Sequence, residues 1–416
     1  MIWANRAAVA ATFCAVAATA GAMEWNGFAD QRCDVARSRI GGLLPTNTFP
    51  EQAATTEVNL KAKVKDFEKW LLMTDLSVIG RAAERFRRTA PDGTEAAAEP
   101  SGNDRRRLWG NVAELYAAYQ ANDSFTVTAG KKRIVWGPGF SANPTDLLNP
   151  HKDPVDPSAE RTGAWVIAAE HIGSAVTVTT VISPQVSEDV RGIWSRAAKD
   201  RYLGALRLYT LLSDTDLNLV IFHTKRFKDE LANRPRLGAS ASKFVTNALE
   251  LHTEMLMTQG RALEPDSPRV FPQILCGTRY AFANESEATA EYLYLADGLT
   301  DDEFGAILAR KAGLGTFGAL SPTGQIIAGR LRRNYLTLSH QRYKVIEDVF
   351  LGATVSFNAD DGSAVGQASA QWQWRDDLHF SLGAFRPFEW AARDLPSEAD
   401  LNPQRYRITA AARAYF

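Results

Sequence analysis

Tyr406-Arg407-Ile408-Thr409-Ala410-Ala411-Ala412-Arg413-Ala414-Tyr415-Phe416 ends the sequence, and its reading decides the fold. Every even position in it is apolar or aromatic, while Arg407, Thr409 and Arg413 fall between them. Strict alternation over such a length marks a β-strand with one greasy face and one polar face. About ten residues is also what a tilted strand needs to cross a bilayer. The pattern recurs at 57–66, where Val58, Leu60, Ala62 and Val64 oppose Asn59, Lys61, Lys63 and Lys65.

Such runs come in pairs. Short polar turns join 57–66 to 71–81, 111–120 to 125–136, 164–170 to 176–182, 203–212 to 217–224, and 237–245 to 249–257. The same holds for 274–282 with 288–296, 335–343 with 349–358, and 366–375 with 378–385. Longer segments bearing Pro or Gly separate the pairs, so short and long connections alternate along the chain. With 23–32 first and 406–416 last, the count is about 18, even as in single-chain bacterial barrels. Both ends then fall on the short-turn side. Residues 89–106 read as a loop. Within 297–333, Thr300-Asp301-Asp302-Glu303 forms a capping box, which predicts a short helix with Phe304, Ile307 and Leu308 on one face. Gly313 is expected to stop it.

The start of the chain reads as a secretory signal: Arg6, an apolar run over 7–18, and Ala20-Gly21-Ala22 as a small-residue cleavage site. Residues 1–22 are expected to be removed, leaving 23–416 as a single domain. Beyond residue 22 no apolar run approaches the ~18 residues of a membrane helix. Only helices and closed barrels satisfy backbone polar groups inside lipid. The expected fold is therefore all-β: a transmembrane antiparallel up-and-down β-barrel of about 18 strands with short periplasmic turns and long extracellular loops. A net charge of −1 with 23% charged residues argues against nucleic acid as a partner. Cys33 and Cys276 lie far apart, so no disulfide framework is expected.

Face assignment follows from the alternation. Val349, Leu351, Ala353, Val355 and Phe357 look one way, and Thr354, Ser356 and Asn358 the other. Ala368, Ala370, Trp372 and Trp374 are assigned to lipid; Gln367, Ser369, Gln371, Gln373 and Arg375 lie opposite. Tyr292, Tyr294, Tyr335, Trp372 and Trp374 suit interfacial girdles. Six histidines are present, and His252 shares a face with Glu250 and Glu254. No nucleophile elbow, zinc-helix motif or phosphate loop accompanies them, so neither an enzyme nor a cofactor is expected.

Three motifs carry a resemblance. Trp136-Gly137-Pro138-Gly139-Phe140 is followed by Asn143-Pro144-Thr145-Asp146-Leu147-Leu148-Asn149-Pro150, and Gly27-Phe28-Ala29-Asp30-Gln31-Arg32 stands near the start. Together they resemble a porin-like outer-membrane family whose nearest named relatives are the alginate-export channels, 18-stranded barrels. Where that family has Gly-Arg-Gln before the Trp-Gly, this chain has Gly130-Lys131-Lys132, keeping charge but losing the arginine fork. The aromatic ending is similar to the closing strand of bacterial outer-membrane barrels. That likeness implies that Tyr415 and Phe416 are the signal read by the barrel-assembly machinery.

The resemblance implies a channel, and a channel's selectivity rests on its pore-facing charges. The basic candidates are Lys61, Lys63, Lys65, Arg207, Arg375, Arg407 and Arg413, with Arg81 nearby. Closing the ring sets the last strand beside the first, so most of these share one wall. The acidic candidates are Glu114, Glu170, Glu250, Glu254 and Glu291, the last three forming an arc roughly opposite. Such a pore would carry a transverse field. The alternative is that these charges pair with one another or merely solvate the lumen.

The long loop 137–160 is the expected constriction, with Trp136, Phe140, Asp146, Asn149, Lys152, Asp153 and Asp156 at the narrowing. Phe140, Leu147 and Leu148 need burial, which the lumen wall offers. The aspartates lack the ligand density of a calcium loop, so no metal is expected. The sequence thus points to a porin-like channel for small polar or anionic solutes, surrounded by outer-membrane lipids. Export of an anionic polysaccharide, or a barrel sheathing a partner protein, are the alternatives.

Overall fold

The computed structural model describes residues 23–38, 49–67, 69–89, 95–98, 106–149, 162–186, 197–226, 234–261, 263–264, 266–309, 330–391, 397–401 and 404–416. The proposed leader 1–22 lies outside them, as do Lys152, Asp153, Asp156 and Gly313. The strands are β1 (Met23–Ser38), β2 (Phe49–Phe67), β3 (Trp70–Thr89), β4 (Glu95–Ala98), β5 (Arg106–Asn122), β6 (Phe125–Lys132), β7 (Ala164–Ile172), β8 (Thr177–Val186), β9 (Ala197–Leu212) and β10 (Thr215–Arg226). They continue as β11 (Pro235–Phe244), β12 (Leu249–Gln259), β13 (Val270–Ala281), β14 (Ser286–Leu295), β15 (Asn334–Arg342), β16 (Val349–Asn358), β17 (Ser363–Arg375), β18 (Leu378–Glu389) and β19 (Gln404–Tyr415). Two short helices, α1 (Asp301–Ala309) and α2 (Glu398–Leu401), sit in the long connections.

All 19 strands belong to one antiparallel sheet, and β1 pairs with both β2 and β19, so the sheet closes on itself. β4 pairs only with the end of β3, and β5 is the neighbour of β3 in the wall. Removing β4 from the 19 leaves a ring of eighteen strands. Closure pairs each of the eighteen ring strands on both sides, leaving β4 as the one described strand with a free edge.

Alternation is visible all round this ring. On β15, Thr337 and Ser339 are buried inside while Leu336 and Leu338 are exposed outside. On β19, Ile408 is exposed outside, as is Phe416 just beyond it, and Arg407, Thr409 and Arg413 line an internal cavity. Soluble monomers rarely expose a contiguous apolar band of this kind, and here it faces hydrocarbon. No described helix is long and apolar enough to cross a membrane.

The seam between first and last strands is tightly keyed. Gly27 and Phe416 exchange backbone bonds at 2.9 and 3.0 Å. A Cβ on Gly27 would meet the Asn59 carbonyl at 2.5 Å and the Phe416 ring at 2.7 Å, so only glycine lets the strands approach this closely. Phe416 points outward, 6.5 Å from Trp25. Tyr415 points inward, against Phe28 and His379.

Several sequence expectations are corrected. Strands β1, β2 and β3 run well past the ranges 23–32, 57–66 and 71–81. The segment read as a loop over 89–106 contains β4, which extends the β3 ladder. Short and long connections do not alternate throughout: only 359–362 join β16 to β17 on the long-loop side. Asp361 accepts the Ser363 N–H there at 2.9 Å, and Asp360 accepts from Arg333 and Asn334, folding the turn tightly. Tyr335 is no girdle residue; it faces inward, buried, with its hydroxyl donating to Glu398. At the start of α1, Thr300 and Glu303 bond reciprocally, backbone to side chain, as in a capping box.

Candidate functional site

The chain leaves β6 earlier than expected, at Lys132, because Glu114 on β5 captures the Arg133 N–H at 2.8 Å. From there it enters the barrel interior. Trp136 inserts into an apolar patch on the inner face of β7–β12, beside Val166, Val181, Leu203, Phe222 and Leu256, with Leu147 and Leu148 packed alongside. The chain then reaches across to β12 and β14, five and seven strands round the ring from β7.

Two buried carboxylates hold it there. Glu254 accepts hydrogen bonds from Gly139 N–H (2.7 Å), the Asn143 amide (2.9 Å), and Thr145 N–H (3.1 Å) and Oγ1 (2.7 Å). Glu291 accepts from Phe140 N–H and Ser141 N–H, each 2.5 Å, from the Ser141 hydroxyl, and lies 2.7 Å from His252 Nε2. An ionised carboxylate has about four acceptor sites, and these donors use them. Glycines make the approach possible. Gly137, at φ +87°, would put a Cβ 2.4 Å from the Glu254 oxygens, and Gly277 would put one 2.3 Å from His252 Nε2.

The loop also braces itself. Asn143 donates to the Gly137 and Gly139 carbonyls, and Asn149 donates to Asp146 and to the Ile134 carbonyl. Arg330 donates to the Ser141 carbonyl at 3.1 Å.

With this side occupied, a polar cavity of about 310 Å³ remains against β1, β17, β18 and β19. Its charged lining is Asp30, Arg32, Asp34, Arg407 and Arg413, joined by His379, Tyr415, Gln367, Gln371 and Thr409. Arg413 pairs with Asp30 at 2.9 Å and lies 4.3 Å over the Phe28 ring. Arg407 rests on the Phe385 ring at 5.2 Å. Next along the wall, Lys61 pairs with the buried Asp75 at 3.1 Å, which also accepts from Asn59.

The expected site residues separate accordingly. Arg407 and Arg413 line the cavity, and Lys61 and Lys63 share the inward face of β2; the side chain of Lys65 lies outside the described residues. Arg81 is on the inward register of β3, on the same side as Asp75. Arg207 bonds Asn218, and Glu170 accepts from Thr179. Arg375 is corrected: it follows a register shift at the end of β17 and stacks 4.8 Å from the Trp374 ring, at the rim rather than on the wall.

The open acidic arc is corrected too. Glu254 and Glu291 are consumed in anchoring the loop, and Glu250 pairs with Arg279 at 3.2 Å. Trp136 and Asp146 do not border a narrowing, since both are buried, one in the wall and one tying Asn149. Phe140 is half-buried, its N–H given to Glu291. Ser141, Glu291 and His252 meet with the carboxylate in the middle; nucleophile activation would require the imidazole next to the hydroxyl.

Several site residues were not among the candidates read from the sequence: the charged Asp34 and Asp75, and the hydroxyl-bearing Ser141 and Thr145. Inward parity was available for the first two, but nothing local signals which charge finds a partner. A glycine inside a strand, as at Gly277, is the kind of sequence signal that marks such a close approach.

Above the wall, near the long-loop end, Glu398 of α2 is half-buried, its carboxylate turned in among hydrogen-bond donors. It accepts from Leu331 N–H, Arg332 N–H (2.9 Å), Tyr335 Oη (2.6 Å) and the Asn358 amide (2.9 Å). Burial, with the Asp361 carboxylate close by, pushes its carboxyl up to about 8.

No protein-family profile matches the sequence, and no curated protein matches it. Solved structures do resemble the fold. OccK7 (OpdD) of Pseudomonas aeruginosa aligns with a TM-score of 0.52 at 9% identity, over 95% of this chain and 97% of that one. OccK5 (OpdH) of the same organism gives 0.51 at 7% identity, over 95% and 98%. A triple mutant of Rhodopseudomonas blastica porin gives 0.45 at 10% identity, over 95% and 100%.

Proposed function

We propose that the chain is a porin-like diffusion channel of the bacterial outer membrane, passing small polar or anionic solutes. The observation carrying this reading is the division of the lumen. One side is filled by the loop pinned to Glu254 and Glu291, and the other retains a polar cavity walled by Arg32, Arg407 and Arg413. A closed ring with an apolar exterior and a charged, polar interior is the architecture a passive pore requires. Around the cavity Arg32, Arg407 and Arg413 outnumber Asp30 and Asp34, and this local excess of positive charge favours anions over cations. Lipids surround the outer face, and the final strand with Tyr415 and Phe416 engages the assembly machinery.

The test is reconstitution into planar bilayers across a potassium chloride gradient. Discrete conductance steps with a reversal potential on the chloride side are expected. Protein that inserts, folded, and gives no steps would overturn the channel reading.

A further inference from the structure

We propose that the cavity against β1 and β19 selects zwitterionic solutes, amino acids and short peptides, over simple anions of equal size; the inference rests on the channel reading above. Its warrant is the order of charges along that wall. From the long-loop end to the short-turn end, the inward rows carry Arg407, then Asp34, then Arg32, then Asp30 beside Arg413. Asp30 lies 2.9 Å from Arg413 and 3.6 Å from Arg32, so one carboxylate is shared by two guanidiniums and that group keeps a net positive charge. Asp34 and Arg407 are different: each faces the cavity and neither has an ion-pair partner among the described residues. Asp34 accepts only the Thr409 hydroxyl, at 2.6 Å. Arg407 is drawn sideways onto the Phe385 ring of β18, away from β1.

Asp34 pairs in register with Thr409, two residues from Arg407. The two charges are thus diagonal cross-strand neighbours, about 7–8 Å apart at the backbone. Each is stabilised by a dipole or a ring rather than by an opposite charge, so each keeps most of its field in the lumen. A monoanion attracted to Arg407 meets Asp34 before it reaches Arg32. A monocation meets the opposite sequence. A solute bearing both signs sets its carboxylate on the Arg407 fork and its ammonium on Asp34, and keeps a favourable contact as it advances.

The test measures entry of labelled solutes into proteoliposomes at neutral pH, using glycylglycine, the anion N-acetylglycinate and the uncharged N-acetylglycinamide. Glycylglycine is expected to enter about threefold faster than the uncharged analogue, the order an exposed ion pair is worth, and faster than the anion. Asp34→Asn, which preserves the bond to Thr409, should bring glycylglycine down to the uncharged rate and raise that of the anion. Arg407→Gln should slow both charged solutes. Equal wild-type rates for glycylglycine and the uncharged analogue would overturn the inference while leaving a working channel. Entry of none of the three would overturn the channel reading itself, and this inference with it.

Discussion

Replacing Glu254 with alanine tests the loop clamp directly. The side chain is fully buried and accepts four hydrogen bonds, three from backbone or hydroxyl donors of Gly139 and Thr145 and one from Asn143. Bonds to a charged acceptor contribute about 1.5 kcal/mol each at the low end of their range, so roughly 6 kcal/mol of attraction disappears. Against that, the variant no longer buries a carboxylate, which offsets several kcal/mol. A net loss of about 3 kcal/mol in loop docking is expected, close to a hundredfold shift toward the undocked state. Glu291 would still hold Phe140 and Ser141, so release is partial and reversible. Single-channel recording should show excess open-channel noise and visits to a larger conductance that wild type seldom makes. Glu254→Gln, keeping one acceptor oxygen, should fall between. If Glu254→Ala folds, judged by its heat-dependent gel shift, yet matches wild type in conductance and noise, the clamp is not what fixes the lumen.

Other expectations follow from separate contacts. Asp75→Asn removes the partner of Lys61 and should move the reversal potential further toward chloride, measured in the same bilayer gradient. Gly27→Ala places a methyl against the Asn59 carbonyl and the Phe416 ring; overpacking of about 1–3 kcal/mol at the seam should lower the unfolding temperature on gels and slow folding into vesicles. For Glu398 the folded-state value near 8 lies above the ordinary carboxyl range. Its contribution is therefore fully present below about pH 4.5 and lost as pH rises through about 8. Amide exchange over 397–401, corrected for intrinsic base catalysis, should accelerate progressively from about pH 5 to about pH 8 and level off above it, and Glu398→Gln should abolish that dependence.

Much of this was legible in the chain, for a reason specific to barrels. A period of two assigns each residue of a strand to water or lipid with no knowledge of its neighbours. Hence Glu250, His252 and Glu254 could be set on one inward face, and Ile408 and Phe416 on the outward one. Partnership is a different matter. Asp30 meets Arg413 only because the ring closes in one register, and that register spans the whole sequence. Glu254 looks like an open pore charge until the backbone of residues 139–145 is brought to it from far upstream. Trp136 fails in the opposite sense: its place in an aromatic-glycine loop suggested a narrowing, whereas apolar packing against Phe222 draws it into the wall. Arg375 was misplaced by a single register shift, the one event that strict alternation cannot foresee.

The cross-lumen tie also imposes a timetable. Gly139 and Phe140 bond partners 115 and 151 positions later in the chain, so neither contact can exist until the twelfth and fourteenth strands have arrived. The entropy of waiting is modest, since lengthening such a closure from ten residues to over a hundred costs only about 2 kcal/mol. Until then the backbone donors of residues 139–141 have no carboxylate to bond and must be satisfied by water. Seating of the loop is consequently a late event, marking a sheet that has been built at least as far as β14.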